Sequence, residues 1–175
     1  IHLDGLLDTA DAMSSWQERE RRLEILKDSH AGAFAVITCA VYFLFYFGVY
    51  SQMPPSALPV VAVSFMLSRT LSGLAVVTFP KAKKTGTVAA MARGSNDQKI
   101  KITLSIYLVL ILLVLLLLDW KLGLVCFVTA WLVFWHYHHL AMKYFGGTTG
   151  DLAGYFLSLC ELFCAFAVTV ASLIF

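Results

Sequence analysis

The sequence predicts an all-α protein, a polytopic bundle of transmembrane helices, and three observations support that prediction. Of its 175 residues, 59% are hydrophobic and the mean hydropathy is +0.78, far above the values of soluble globular domains. The apolar residues form five windows, each close to the 20 residues or so that cross a bilayer. These windows are 31–50, 57–79, 102–118, 122–142 and 154–175. The unbroken apolar run 109–118 excludes the alternating pattern of a transmembrane β-barrel.

A short acidic helix is predicted ahead of the five windows, and the whole of 1–175 is expected to form a single membrane-embedded domain. The sequence begins at Ile1 instead of a methionine and stops at Phe175 inside an apolar run. We therefore expect it to be part of a longer protein and to lack an upstream membrane helix.

The connectors between the windows differ in charge. Segments 1–30 and 80–101 are rich in charged residues, whereas 51–56 carries none and 119–121 is nearly neutral. Short connectors rich in Lys and Arg tend to stay cytoplasmic. Threading the windows accordingly predicts 1–30, 80–101 and 143–153 at the cytoplasmic face, and the polar candidates for a site lie there.

Three aspartates near the start have helical spacing. Asp4, Asp8 and Asp11 stand at i, i+4 and i+7, so a helix presents all three carboxylates on one face. Like charges so placed repel, and charge near a bilayer is costly. A divalent cation would compensate them, and carboxylate oxygens suit Mg²⁺ or Mn²⁺ better than a soft metal. Gly5 permits close approach of a ligand or a neighbouring helix. The alternative is a solvated helix face.

A second polar group precedes the first window. Asp28 or Ser29 can cap the helix that follows. In the functional interpretation Lys27 and Ser29 bind a phosphate, while Asp28 binds a second metal or pairs with a lysine.

A glycine-rich turn precedes the last window. Gly146, Gly147, Thr149 and Gly150 place backbone N–H groups at a helix N-terminus, which is a typical anion site. Asp151 is placed to cap that helix or to bind metal. The alternative is a plain turn between two spans.

Two ionisable residues fall inside the windows. Arg69 is about ten residues from the nearer window end, beyond easy snorkelling, so an intramembrane function is favoured. We expect it to bind a phosphate or an aspartate of the acidic helix. Glu161 needs a partner, for which Arg69 or Lys143 would serve.

Two other runs favour structural explanations. The mixed charges of 14–24 predict a solvated helix face. The aromatic run 131–145, which includes His136, predicts an interfacial belt or a face for a flat ring-bearing ligand, and not a metal site.

Taken together, three segments in order resemble the signature of the cobalamin synthase family. They are 2–11 (His-Leu-Asp-Gly-Leu-x-Asp-Thr-x-Asp), 27–34 (Lys-Asp-Ser-x-x-Gly-x-Phe) and 146–151 (Gly-Gly-x-Thr-Gly-Asp), followed by Glu161. The departures are small: His30 stands where arginine is common, which puts one phosphate contact in doubt, and no acidic position is altered.

The resemblance implies a multi-pass enzyme of the bacterial inner membrane, dependent on Mg²⁺, with a transferase domain facing the cytoplasm. It implies transfer of adenosylcobinamide phosphate from adenosylcobinamide-GDP to α-ribazole or its 5′-phosphate, with release of GMP. The partners implied are these substrates and the lipid bilayer, without nucleic acid; a homo-oligomer is left open.

Attack on a diphosphate requires the charge of its phosphates to be neutralised. Mg²⁺ held by carboxylates supplies that neutralisation, so the residue pattern agrees with this reaction. Asp4, Asp8 and Asp11 are assigned as metal ligands, with Asp28 and Asp151 as weaker candidates. His2 is the candidate general base for the attacking ribose hydroxyl, or a partner of a ligand aspartate. The pyrophosphate candidates, which the sequence does not rank, are Lys27, Arg69, Lys81 and Lys83.

Two other functions fit the residue pattern less well. A CDP-alcohol phosphotransferase has a related Asp-rich pattern, but Leu7 and Asp8 stand where its Ala-Arg pair belongs. An ion or metal transporter predicts acids at the midplane of several spans, whereas these aspartates lie at one face.

Overall fold

The computed structural model describes residues 1–28, 30–82 and 97–175. Those residues contain seven α-helices and no strand. The helices are α1 (His2–Ser14), α2 (Arg19–Ile25), α3 (Ala33–Gln52), α4 (Leu58–Thr78), α5 (Asp97–Leu118), α6 (Trp120–Leu140) and α7 (Gly150–Ile174). A 3-10 turn, Pro55–Ala57, precedes α4, and a π-helical turn, Ala141–Phe145, extends α6.

Five of the helices are long and apolar enough to cross a membrane. They are α3, α4 with the turn before it, α5, α6 with its π-helical turn, and α7. The predicted all-α polytopic bundle with a short acidic helix is confirmed.

Capping residues account for several helix ends. The Asp119 side chain accepts hydrogen bonds from the N–H groups of Lys121 and Leu122, both at 2.9 Å, so α6 starts earlier than the predicted window. Helix α3 ends before Met53, whose extended backbone suits a residue followed by proline.

Helix α7 is the centre of the bundle. It packs against α1, α3, α4 and α6, and half of its apolar window is buried. In contrast, only 11% of the corresponding windows of α3 and α5 is buried inside the protein, and side chains such as Leu44 and Phe47 point outward. Such apolar outer faces are suited to contact with lipid.

The polar segments meet at one end of this bundle. Helix α1 lies along α7, Asp11 bonds to the start of α3, and residues 80–82 pair with Thr148 just before α7. Residues 80–82 are thus brought to 143–153, and 1–30 meets the same end of the bundle through α1, as the threading predicted.

Candidate active site

The site begins with a close crossing of α1 and α7. A Cβ atom placed on Gly5 would lie 2.4 Å from the backbone oxygen of Asp151, and one on Gly154 would lie 3.0 Å from the backbone oxygen of His2. Only glycine allows the two helices this approach. The close approach of a neighbouring helix at Gly5, one of the two predicted alternatives, is confirmed.

The crossing gathers carboxylates from two helices. Asp4 and Asp8 come from α1 and Asp151 comes from the first turn of α7. Burial, followed by the charges of Asp4, Asp151 and Asp11, raises the pKa of Asp8 to about 6. Asp151 therefore lies near enough to Asp8 for their charges to interact, and the ranking of these aspartates as metal ligands stays a prediction.

Asp11 has a second set of partners. Its Oδ2 accepts a hydrogen bond from the N–H of Gly32 at 2.6 Å, and its Oδ1 accepts one from the N–H of Ala35 at 2.9 Å. These bonds satisfy backbone N–H groups at the start of α3. The N-cap residue of that helix is Gly32, which has no side chain to cap it. Both oxygens of Asp11 are engaged in joining α1 to α3, and its assignment as a metal ligand stays a prediction.

His2 opens α1 with an exposed side chain, and its backbone lies against Gly154. Its role as general base stays a prediction.

The glycine-rich turn is shaped by its contacts with the end of α4. Gly146 has φ +68° and ends the π-helical turn, while Gly147 has φ +154° and lies against Pro80 and Ala82. Thr148 donates its N–H to the Pro80 oxygen at 2.8 Å and accepts the N–H of Ala82 at 3.0 Å. Gly146 and Gly147 are thus explained by backbone conformation and packing, and the same contacts bring half-buried Lys81 to the turn.

The next two residues of the turn have different surroundings. The Thr149 hydroxyl accepts the N–H of Leu152 at 3.2 Å and caps α7, whereas a Cβ atom on Gly150 would meet nothing within 4 Å. Thr149 is a helix cap. Gly150 borders open space, and its role in phosphate binding stays a prediction.

Asp28 does not cap α3, and the alternative cap, Ser29, lies outside the described residues. Asp28 accepts hydrogen bonds from the backbone N–H and the ring Nδ1 of His30, at 3.0 and 2.8 Å, and these bonds lower the pKa of Asp28. The expectation that Asp28 caps the span is wrong, because Asp11 takes that position. Asp28 is not among the carboxylates that raise the pKa of Asp8. Lys27 is exposed, and the predicted phosphate ligands Ser29 and Lys83 lie outside the described residues.

Arg69 belongs to a separate polar group deeper in the bundle. Its guanidinium pairs with the carboxylate of Glu161 and donates to the Phe65 oxygen and the Ser68 hydroxyl at 3.0 and 3.1 Å. Of the partners considered for Glu161, Arg69 is the right one. Nothing ties Arg69 to the aspartates of α1, and its phosphate role stays a prediction.

His136 binds across to α7 through a 3.1 Å contact between its Nε2 and the Tyr155 hydroxyl. Both residues line a groove of about 560 Å³ whose other walls include Val133 and Phe163.

Two arginines near the site were missed by the sequence analysis. Arg19 packs its guanidinium against Gly146, and Arg22 is 9% exposed between α1 and the π-helical turn. The solvated face predicted for 14–24 holds for Arg21 and Glu24, an exposed ion pair at 2.6 Å, but is wrong for Arg22. A run of charged residues in the sequence does not reveal which of its side chains is buried against a neighbouring helix.

The carboxylate donors have the chemistry that Mg²⁺ prefers. Asp4, Asp8 and Asp151 offer only hard oxygen atoms, and their mutual repulsion favours a bound cation. No three His, Cys, Asp or Glu side chains in the described ranges converge closely enough to hold an ion as they stand. The chemistry of the residues fits Mg²⁺, and its binding here stays a prediction.

Fold and site together define a multi-pass helical membrane protein with a carboxylate cluster at one end of its bundle. The chain matches the cobalamin-5-phosphate synthase family over residues 1–169. It belongs to that family.

Curated relatives agree with this assignment. The chain is 51% identical over 171 residues to an adenosylcobinamide-GDP ribazoletransferase of Lachnoclostridium phytofermentans, covering 98% of the chain and 66% of the relative. It is 36% identical over 166 residues to the enzyme of that name from Desulfitobacterium hafniense, covering 93% of the chain and 65% of the relative. The chain therefore spans about two thirds of the length of these relatives. No solved structure matches it.

Proposed function

We propose that the chain acts as an adenosylcobinamide-GDP ribazoletransferase, the activity in the names of its relatives. In this reaction a ribose hydroxyl of α-ribazole, or of its 5′-phosphate, attacks the phosphorus nearer the cobinamide. The bond from that phosphorus to the leaving GMP breaks, and the hydroxyl proton is taken up by a base. Within the family assignment, the observation that carries the proposal is the carboxylate cluster of Asp4, Asp8 and Asp151.

The cluster is suited to the electrostatic demand of this reaction. Mg²⁺ held there would neutralise charge on the transferring and leaving phosphates. Asp8 would be the central ligand because it is affected by the charges of Asp4, Asp151 and Asp11. Lys81, whose neighbours Pro80 and Ala82 pair with Thr148, would bind a phosphate oxygen, and His2 would accept the hydroxyl proton.

We further propose that this end of the bundle faces the cytoplasm of a bacterial inner membrane. Lys27, Lys81 and Lys143 lie in the segments that meet here. Lys121 lies in the first turn of α6, at the opposite end of that helix from its π-helical turn. The positive-inside tendency supports this orientation.

The proposal is tested by turnover. The full protein in detergent would be supplied with adenosylcobinamide-GDP, α-ribazole and Mg²⁺, and the corrinoid product and GMP would be separated by chromatography. We expect metal-dependent product, with the rate lowered about 10²-fold or more in Asp8→Asn. Folded wild-type protein without product would contradict the proposal, and CDP-alcohol substrates would then be tried.

A further inference from the structure

Arg22 is a buried cation whose hydrogen-bonding groups are not all used. Its ζ-carbon lies 4.8 Å from the centre of the Tyr144 ring, and its Nη1 lies 3.7 Å from the Met13 sulfur. Its Nε is buried without a hydrogen-bond partner, and no ion pair between described residues includes this side chain. A guanidinium has five N–H donors, and neither an aromatic face nor a thioether is a strong acceptor for them.

Burying such a group without a counter-charge is unfavourable. Arg21, the preceding residue on the same helix, shows the usual solution: it is 64% exposed and paired with Glu24. Arg22 is instead turned inward, against α1 and the π-helical turn. A bound anion would supply the missing acceptors.

Two more cations lie beside the same turn. The guanidinium of Arg19 occupies the space next to Gly146, where a Cβ atom would lie 2.1 Å from its ζ-carbon. The ammonium group of Lys143 lies 5.0 Å from the centre of the Tyr144 ring, which Arg22 also contacts. Arg19 and Arg22 are three residues apart on α2 and share a face.

The two arginines pack against the elements that carry or lead to cluster aspartates. Met13, which Arg22 contacts, lies five residues after Asp8 on α1, about 7.5 Å along the helix axis. Gly146, which Arg19 contacts, is in the turn that leads to Asp151. A diphosphate has oxygens beyond those that a metal at Asp8 and Asp151 would use, and planar guanidinium groups bind phosphate oxygens in pairs.

We propose that Arg22 and Arg19 bind the diphosphate of the nucleotide substrate. This inference rests on the proposed function for the identity of that substrate.

The test is equilibrium binding of GDP, with inorganic pyrophosphate as a second probe, to the full protein in zwitterionic lipid nanodiscs with Mg²⁺. In Arg22→Gln the Kd for GDP is expected to rise about 10-fold or more. Arg19→Gln should shift it in the same direction, and Arg22→Lys should fall between wild type and Arg22→Gln. The matched control is Arg21→Gln, which removes the same charge from an exposed ion pair and should stay within about twofold of wild type.

Turnover separates substrate binding from structural support. Arg22→Gln should raise the KM for adenosylcobinamide-GDP and leave the KM for α-ribazole unchanged. Should Arg22→Gln fail to fold, the exposed Arg19→Gln variant decides the question by the same two measurements.

The outcomes for the two proposals differ. Unchanged GDP affinity in Arg19→Gln and Arg22→Gln, with turnover lost in Asp8→Asn, would overturn the anion site and leave the proposed function standing. GDP binding that depends on the two arginines, in a wild-type protein that gives no product, would support the anion site and contradict the proposed function. Arginine-dependent binding of anionic lipid vesicles, without any change in GDP affinity, would assign these cations to a lipid headgroup and overturn the inference.

Discussion

The carboxylate of Asp11 lies directly against Gly32 and accepts its backbone N–H at 2.6 Å. A Cβ atom on Gly32 would fall 2.7 Å from both oxygens of that carboxylate. The absence of a side chain at position 32 is therefore a condition for the bond that joins α1 to α3.

Replacing Gly32 by alanine should weaken this connection. We expect Gly32→Ala to displace the carboxylate and lower the free energy of unfolding by about 1–2 kcal/mol, the usual value of a lost helix cap. Reversible denaturation in detergent would measure it. Gly48→Ala, on the same helix with nothing within 4 Å of its Cβ position, is the control and should not destabilise. Equal effects in the two variants would show that the cap is unimportant.

The α1–α7 crossing should be equally sensitive at Gly5. Its substitution by alanine would push a Cβ atom into the backbone of Asp151, and a displacement of about 1 Å in a catalytic group lowers rates by about 10²-fold. We expect Gly5→Ala to lose turnover by that factor. Gly150→Ala, at a position that borders open space, should retain turnover. Loss of turnover in a folded Gly150→Ala variant would mean that substrate contacts this backbone.

The raised pKa of Asp8 predicts how stability depends on pH. Because the folded state holds the Asp8 proton more tightly than the unfolded state, stability is greatest below pH 3.8 and is lost as the pH rises through about 6. The melting temperature of the metal-free protein should therefore contain a component that falls between pH 3.8 and about 6. Mg²⁺ should restore it at pH 7 but not at pH 4.5, where the proton competes with the metal.

Asp8→Asn should remove both the pH-dependent component and the response to Mg²⁺. Asp28→Asn should leave both unchanged, because hydrogen bonds from His30 keep the pKa of Asp28 below its ordinary value. A pH component that survives in Asp8→Asn would have to come from another group.

The pairing of Arg69 with Glu161 predicts a recoverable loss of stability. Arg69→Gln leaves a carboxylate uncompensated within the bundle and should cost about 2 kcal/mol, less than a fully buried pair since the arginine is half exposed. The double variant Arg69→Gln with Glu161→Gln should recover most of that loss. Its KM for adenosylcobinamide-GDP should equal that of wild type. A raised KM would indicate that Arg69 binds a phosphate of the substrate.

Much of the fold was predictable because membrane spans depend on local composition. Apolar windows found all five long helices, and the charge of the connectors predicted which segments meet at one end. The errors at helix ends have local causes, such as the side-chain cap at Asp119, which starts α6 before its apolar window.

The site was predicted less completely because tertiary contacts divide residues that look alike in sequence. The i, i+4, i+7 spacing treats Asp8 and Asp11 as equivalent, yet one is surrounded by carboxylates and the other caps α3. Similarly, Arg21 and Arg22 are neighbours in one charged run, and only the packing of α2 distinguishes an exposed ion pair from a buried cation.

The carboxylate cluster is shared between the earliest and the latest helix of the described chain, and this has a consequence for biogenesis. While the ribosome is still making α6, Asp8 has been synthesised but Asp151 has not, and the face of α1 around Gly5 has no helix to rest on. A nascent or truncated chain can therefore insert several spans without acquiring a competent site. On the proposed function, turnover would require α7 to be inserted beside α1, so activity would report that these two helices have met.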